Sequence, residues 1–468
     1  MAKHPSSVRD ERRDMTRRSL IKWTVAAGAA LGVSRADIFS ILERTGGKGL
    51  AYAASENPTH RSVSLVAGNG GLAWFQLLWP QNAVGLSGDP GLSYHKPGMA
   101  TEVAGTFGTK KLVIGPDTPF AMLPAQRQMT AFTCGRNEAH TPNPTSVADL
   151  NGNNIFSVVS ALQAASPSVI PLVTIGDVDI GTAPGGSRAA NVGDGNGIVG
   201  LFNSAASRMG GLLATTQDAE TYKTHYDAFA QLNRASSRST QKSSYTTASG
   251  AAKFLGTNLA EKLQILPADE ARYGIGGGMR ANVASIARSL IVTVKAFKMG
   301  LTNSVVLPAM RDDPHGAFTG GDVMSVPAQL KQVLDAFMTD LTATTDDATL
   351  KSLADDTVIT ISGDTTKNCL IPRGGGGWED SSPGNTNVVY VYGAGELKAG
   401  WFGDIATNGT VRGFNADGTA SANYSPANTS KYALASIAYA IAKRDERAIS
   451  AFANGLTISG TFGNPKDQ

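Results

Sequence analysis

The sequence predicts an α/β protein, with a mainly parallel sheet covered by helices. Three observations carry this. Short β-branched runs alternate along the chain with longer segments whose apolar residues recur at helical spacing. Several of those runs end in Gly, Asn, Asp and Thr, the polar strand ends outside which ligands bind in open α/β sheets. The order strand, helix, strand recurs without an evident internal repeat, the pattern of a parallel sheet with helical crossovers.

The first element lies outside this pattern. Thr16-Arg17-Arg18-Ser19-Leu20-Ile21-Lys22 follows a charged head and precedes an apolar run from Trp23 to Val33. A paired arginine in this frame matches a twin-arginine export signal. The apolar run of 11 residues has signal-peptide length and falls short of the roughly 20 needed to span a bilayer. Ala51-Tyr52-Ala53 fits a small-x-small cleavage site, with Ala54 as the new N-terminus; retention of the segment as a weak anchor is the alternative. The expected organisation is therefore a signal segment over 1–53 and a single α/β domain with loop-rich insertions over 54–468. The expected location is the periplasm or the medium, the expected partner is the twin-arginine export machinery, and no stable membrane span is expected in the mature chain.

Charge supports the same division. The whole chain carries 41 Lys+Arg and 38 Asp+Glu. Residues 1–53 hold 10 basic and 5 acidic side chains, leaving 31 against 33. The basicity belongs to the signal segment, and the remainder offers no clustered positive charge for nucleic acid. Charged residues make up only 17% and glycines number 53, which describes a loop-rich globular protein; 41% hydrophobic content is enough for a core. The two cysteines, Cys134 and Cys369, match no zinc spacing. Whether they pair or stay as buried thiols is open at this level.

Along the mature chain, Ser62–Ala67 reads as the first strand and runs into Gly68-Asn69-Gly70-Gly71. Lys111–Gly115 and Ser168–Ile175 are further strand candidates. Residues 176–197, rich in Gly, Asp and Asn, read as a long surface excursion. Helices are expected over 217–235, 247–265 and 279–299, the last with Val283, Ile286, Leu290, Val294 and Phe297 at helical spacing. The β-like Ser304–Pro308 leads into Arg311-Asp312-Asp313-Pro314-His315-Gly316. The helix Val326–Thr342 presents Leu330, Val333, Leu334, Phe337 and Leu341 on one face. Thr357–Ser362 is a clear strand running into Gly363-Asp364-Thr365-Thr366-Lys367, Val388–Tyr392 is another, and Lys431–Ile441 is a late amphipathic helix.

Over most of residues 60–405 this order resembles the DUF fifteen-oh-one family, twin-arginine-exported bacterial proteins that look related to alkaline phosphatases and sulfatases. The likeness rests on Gly68-Asn69-Gly70-Gly71-Leu72 after the first strand, Ala139-His140, Asp313-Pro314-His315 with the helix that follows, the strand Thr357–Lys367, and Ser382-Pro383-Gly384 before Val388–Gly393. It implies an alkaline-phosphatase-like sheet with metal-binding Asp, Glu and His at the strand ends. This chain departs from that set. Gly70 stands where the family has its first Asp, Gly363 or Asp364 where it has Glu, and Ser382-Pro383 where it has Asp-His. A two-metal hydrolase needs several anionic oxygens and imidazoles around closely spaced cations, and much of that shell is gone.

Asp313 and His315 remain the sharpest pair, two apart after a strand and able to ligate a metal through oxygen and nitrogen. An Asp-Pro turn with a surface histidine is the plainer account. Asp364 is a third ligand or a turn former at a strand end, and His140 a crevice-lining or solvated loop histidine. Glu379 and Asp380, after a run of four glycines, are candidates to replace the lost ligands. Gly276-Gly277-Gly278 before Met279 resembles a loop-to-helix anion site but lacks phosphate-loop spacing. No Gly-x-Ser-x-Gly elbow is present for a hydrolase triad. The candidate metal set is thus Asp313, His315, Asp364 and His140. No cofactor is fixed by the sequence, and one divalent metal is the candidate. The expected function is a non-catalytic binding or envelope-associated protein with a degenerate metal site. The alternatives are a divergent metal-dependent phosphate- or sulfate-ester hydrolase and a structural envelope component.

Replacing Arg17 and Arg18 by Lys is expected to strand the precursor in the cytoplasm, because the export receptor reads the guanidinium pair. Fractionation and immunoblotting check this; normal periplasmic accumulation of the Lys-Lys variant would remove the basis for the expected location.

Overall fold

The computed structural model describes residues 59–70, 101–163, 166, 168–202, 224, 254, 258–311, 325–373, 377–406 and 408–463. The chain divides into two compact units. One gathers residues 1–49, 167–169 and 197–264; in it, Asn258 caps the short helix Leu259–Leu263 by accepting from the Glu261 N–H. The other, residues 50–166, 170–196 and 265–468, contains the sheet and all that follows.

In chain order its main elements are β1 (Arg61–Ala67), β2 (Phe107–Gly108), β3 (Thr130–Cys134), α1 (Ile155–Leu162), β4 (Ile170–Ile175), β5 (Ala190–Val192), α2 (Ala281–Lys298), β6 (Thr302–Pro308), α3 (Val326–Ala343), β7 (Thr357–Gly363), β8 (Asn387–Tyr392), β9 (Gly400–Phe402), α4 (Pro426–Ile441) and α5 (Glu446–Phe452). The nine strands form one sheet in the order β2-β9-β3-β8-β7-β1-β6-β4-β5. All neighbours are parallel except at β8, which runs against both β7 and β3. The sheet is thus mixed but mostly parallel, and the fold class is α/β.

The four strands expected from β-branched runs lie side by side as β6-β1-β7-β8. Ser62 sits opposite Ser304 on one side and Val358 on the other. Every residue of β1 and β7 is buried, as a central strand covered on both faces requires. The faces differ in chemistry. On one, Val66, Val306 and Val358 pack with α1, α4 and α5 in a common apolar core. That face also carries a ladder of buried hydroxyls: Thr360 Oγ1 donates to Ser64 Oγ (2.7 Å), Ser62 and Ser304 share a hydrogen bond (2.5 Å), and Ser304 donates to Gln163 Oε1 (2.7 Å). Paired in this way, the hydroxyls escape the cost of unsatisfied burial. On the other face the alternating residues Val63, Leu65, Val305, Leu307, Ile359 and Ile361 are apolar and buried, on the side where the α2 residue Phe297 lies 5.9 Å from the Arg61 guanidinium. There α2 and α3 pack on one another.

The structure corrects several expectations. Lys111–Gly115 contributes only Val113–Ile114, paired with Thr101–Glu102 outside the large sheet, because Pro116 cuts the run short. The excursion over 176–197 holds an edge strand, β5, which pairs with β4. Within 247–265 the described helix is only Leu259–Leu263, and 217–235 lies outside the described residues apart from Thr224. The late helix starts five residues early, at Pro426, capped by Ser425. Cys134 is a free thiol buried at the end of β3, and burial pushes its pKa up to about 12.

At the N-terminal end of β1 the chain places a buried charge network. The Arg61 guanidinium donates to Asp346 and to Asp356 Oδ2 (2.8 Å). His60 lies 3.0 Å from Asp356 Oδ1 through Nδ1 and 3.1 Å from Glu396 Oε1 through Nε2. Lys443 reaches Asp356 Oδ1 at 2.5 Å and Arg444 binds Glu396. Burial would raise the Asp356 pKa, but the hydrogen bonds from His60 and Lys443 outweigh it and hold the carboxyl at about 2, below its ordinary 3.8. A depressed carboxyl pKa contributes stability that is complete above the ordinary value and is lost as pH falls through the folded one. The Asp356 share is about 2 kcal/mol. Asp356→Asn is therefore expected to lower stability at neutral pH and to flatten the acid limb by that amount, read by denaturant unfolding between about pH 5 and pH 2. An unchanged acid slope in the variant would contradict the assignment.

Candidate functional site

The parallel strands β1 and β7 end on the same edge of the sheet, and the antiparallel β8 starts there. Three loops meet at this edge. After β1 the chain turns through Gly68-Asn69-Gly70. A Cβ on Gly68 would lie 2.7 Å from the Pro142 carbonyl oxygen and 2.8 Å from that of Thr141, so only glycine allows the approach. Asn69 and Gly70 both have left-handed backbone, with φ of 58° and 70°. That turns the Asn69 N–H onto Thr141 O (2.9 Å) and the Gly70 N–H onto Asp364 Oδ2 (2.7 Å).

After β7 the run Asp364-Thr365-Thr366-Lys367 is buried throughout, each residue exposing 1% or less. The Asp364 N–H continues the sheet by donating to Ala67 O (2.9 Å), and its carbonyl accepts from Glu138 N (2.8 Å) and Asn387 Nδ2 (3.1 Å). Burial raises the pKa of the Asp364 carboxyl, with the Gly70 N–H and the charge of Lys367 opposing. Lys367 adopts a φ of 59° and directs Nζ to Asp380 Oδ1 at 2.5 Å. Its side chain is fully buried, whereas that of Asp380 is one-third exposed. Asn368 and Glu379 pair across an antiparallel hairpin, so Lys367 and Asp380 are the next residues out on its two arms.

The third loop, between β3 and α1, supplies His140, with a φ of 62°. Its Nε2 lies 2.8 Å from Asp380 Oδ2. Asp380 thus receives an ammonium on one carboxylate oxygen and an imidazole on the other. Its backbone carbonyl accepts from Asn137 Nδ2 (2.6 Å) and Thr365 Oγ1 (3.1 Å). Glu138 is engaged inside its own loop, accepting from the Thr145 and Ser146 N–H groups at 2.7 and 2.9 Å. Ser382 donates to Thr386 O (2.6 Å) and closes the turn into β8.

Asp364 and His140 therefore both belong to this edge, with different partners. Asp380, considered from the sequence as a replacement ligand, joins them in an ion pair. Asp313 and His315 lie outside the described residues, as do Arg17, Arg18, Ala53, Ala54 and the side chain of Glu379. Sequence reasoning missed the role of Lys367. Its only signal was a lone lysine at the end of a polar strand-end run. Gly276, Gly277 and Gly278 face open space, and the Arg280 N–H at the start of α2 is taken by Gln329 Oε1 (2.9 Å).

Among the described residues no group of three or more His, Cys, Asp or Glu side chains is placed to hold a metal ion. Among the described residues, this edge offers Asp364 with a backbone N–H on its carboxylate, Asp380 occupied by a lysine and a histidine, and Glu138 engaged by its own loop. Divalent cations take several anionic oxygens or imidazoles, and these described groups alone do not fit them. Among the described residues, no helix is long and apolar enough to cross a membrane. No family model and no curated protein sequence matches the chain.

Truncating one partner of a buried ion pair leaves the other uncompensated. Lys367→Met is expected to destabilise the fold by about 2 kcal/mol, reduced from the fully buried case because Asp380 is partly solvated. Adding Asp380→Leu should restore part of the loss, since the apolar pair leaves no stranded charge. A double-mutant cycle by denaturant unfolding measures this; strictly additive effects would show the pair to be uncoupled.

Proposed function

We propose that this chain is an exported, non-catalytic binding protein: a divergent relative of the DUF fifteen-oh-one family, with an alkaline-phosphatase-like sheet and a degenerate metal site. The observation that carries this reading is Lys367. At the strand ends, where the resemblance would put carboxylates around metal cations, a fully buried ammonium is bonded to Asp380. A resident side-chain cation neutralises the carboxylate and takes up its oxygen, so the charge that would attract a divalent ion is already met. The strand arrangement fits the same reading. β6, β1, β7 and β8 are contiguous, and the Gly68–Gly70 turn and Asp364 share one edge.

The purified mature protein is expected to hold less than one equivalent of metal by elemental analysis. Turnover of generic aryl phosphates and sulfates should stay at background after loading with Zn²⁺, Mn²⁺ or Ca²⁺. The Asp313→Asn, His315→Ala double variant should behave like the parent. Robust turnover in the parent that disappears in the double variant would overturn the non-catalytic reading in favour of a divergent hydrolase.

A further inference from the structure

One cavity lies away from the strand-end cluster and shares none of its described residues. It opens beside β9 and β2, has a volume of about 510 Å³, and among the described residues is lined by Lys110, Lys111 and Lys398 with Asp417 as the one carboxylate. That volume falls within the range of small-molecule sites.

The ammonium groups are not equally satisfied. Lys110 pairs with Asp404 at 2.6 Å. Lys111 stands 3.8 Å from Glu102, with both side chains about half exposed, and such a pair is largely screened. Lys398 Nζ donates to the Gly460 carbonyl at 2.8 Å, a neutral acceptor that leaves the positive charge uncompensated. Its backbone is fixed by the Lys398 N–H to Thr461 O bond (2.9 Å) and by Thr130 Oγ1 on its carbonyl (2.8 Å). Asp417 pairs with none of these ammonium groups: its carboxylate accepts from the Thr419 N–H (3.0 Å) and Oγ1 (2.6 Å) and keeps its negative charge.

Bare backbone lets the cavity walls close on one another. A Cβ on Gly460 would lie 1.7 Å from the Asp417 carbonyl carbon, one on Gly418 2.8 Å from that of Gly460, and one on Gly108 2.3 Å from Trp401 O. At these three positions the walls touch main chain to main chain, and glycine alone permits it. The space left between them is bordered by the three lysines and by Thr109 and Thr419, whose hydroxyls donate to the Trp401 and Gly403 carbonyls and to Asp417 Oδ1.

We propose that this cavity is a binding site for a small phosphate monoester of sugar size. Two under-compensated ammonium groups, Lys111 and Lys398, match an anion carrying close to two negative charges, as a phosphate monoester does near neutral pH. The volume exceeds what a bare tetrahedral ion fills, leaving room for the esterified alcohol. The site stands on its own residues and does not depend on the absence of a metal at the strand ends.

The test is titration calorimetry of the full mature chain at low ionic strength with glucose 6-phosphate, inorganic phosphate and glucose. Glucose 6-phosphate should bind at millimolar concentration or below and weaken as salt is added, and glucose should not bind. Lys398→Met should weaken binding about tenfold or more, the effect of losing one charge-assisted contact. Lys111→Gln, at an exposed side chain that leaves the fold alone, should weaken it several-fold. Binding of glucose 6-phosphate more tightly than inorganic phosphate upholds the ester assignment. Equal binding of the two overturns the ester in favour of a free-ion site. No binding of either phosphate, or equal affinity in folded Lys111→Gln and in the parent, overturns the site altogether.

Discussion

A buried arginine at the start of the central strand is the constraint around which the sheet is organised. Arg61 brings a full positive charge beneath the helical layer, where an unpaired cation is prohibitive. It is tolerated because Asp346, after α3, and Asp356, before β7, converge on it. Asp356 is held in turn by His60 and Lys443, and Glu396 by His60 and Arg444. Four separate stretches of chain are thus tied to two consecutive residues. With that end fixed, β1 and β7 run in register for seven residues, and their far ends deliver Gly70 and Asp364 to the same point.

The opposite edge uses charge differently. At the start of β1, acids and bases are knotted into a network shielded from water. At the end of β7, Asp364 is buried with a backbone N–H on its carboxylate, while Lys367 and His140 close on Asp380 at the margin of solvent. The first arrangement builds the sheet. The second leaves only His140 and Asp380 partly exposed, and its cation is part of the chain.

The sequence made the centre of the fold legible and its flanks much less so. Ser62–Ala67, Ser304–Pro308, Thr357–Ser362 and Val388–Tyr392 announce themselves as β-branched runs because buried parallel strands select such residues. The strands β3, β5 and β9 do not. Thr-Ala-Phe-Thr-Cys, Ala-Asn-Val and Gly-Trp-Phe are too short to set a period, and a neighbouring strand defines them. Strand direction was also hidden: nothing in Asn387–Tyr392 distinguishes the antiparallel member from its neighbours. At the site, Asp364 and His140 were visible as chemistry-bearing residues at strand ends. Their partners were not, because Gly70 and Asp364 are 294 positions apart and His140 and Asp380 are 240 apart. The burial of Lys367 is a tertiary outcome that no local pattern encodes.

The pairing of the central strand also sets an order of events during synthesis. Ser62 finds Ser304 after 242 intervening positions, and Ser64 meets Thr360 after 296. Until about two-thirds of the chain has been made, β1 has neither neighbour, and Val63 and Leu65 wait without cover. Contacts this distant in sequence make folding slow and leave strand edges exposed meanwhile. Translation of such a chain is complete, or nearly so, before its core can close. The interval between its first and last strands is therefore the period in which the nascent chain is most prone to aggregate.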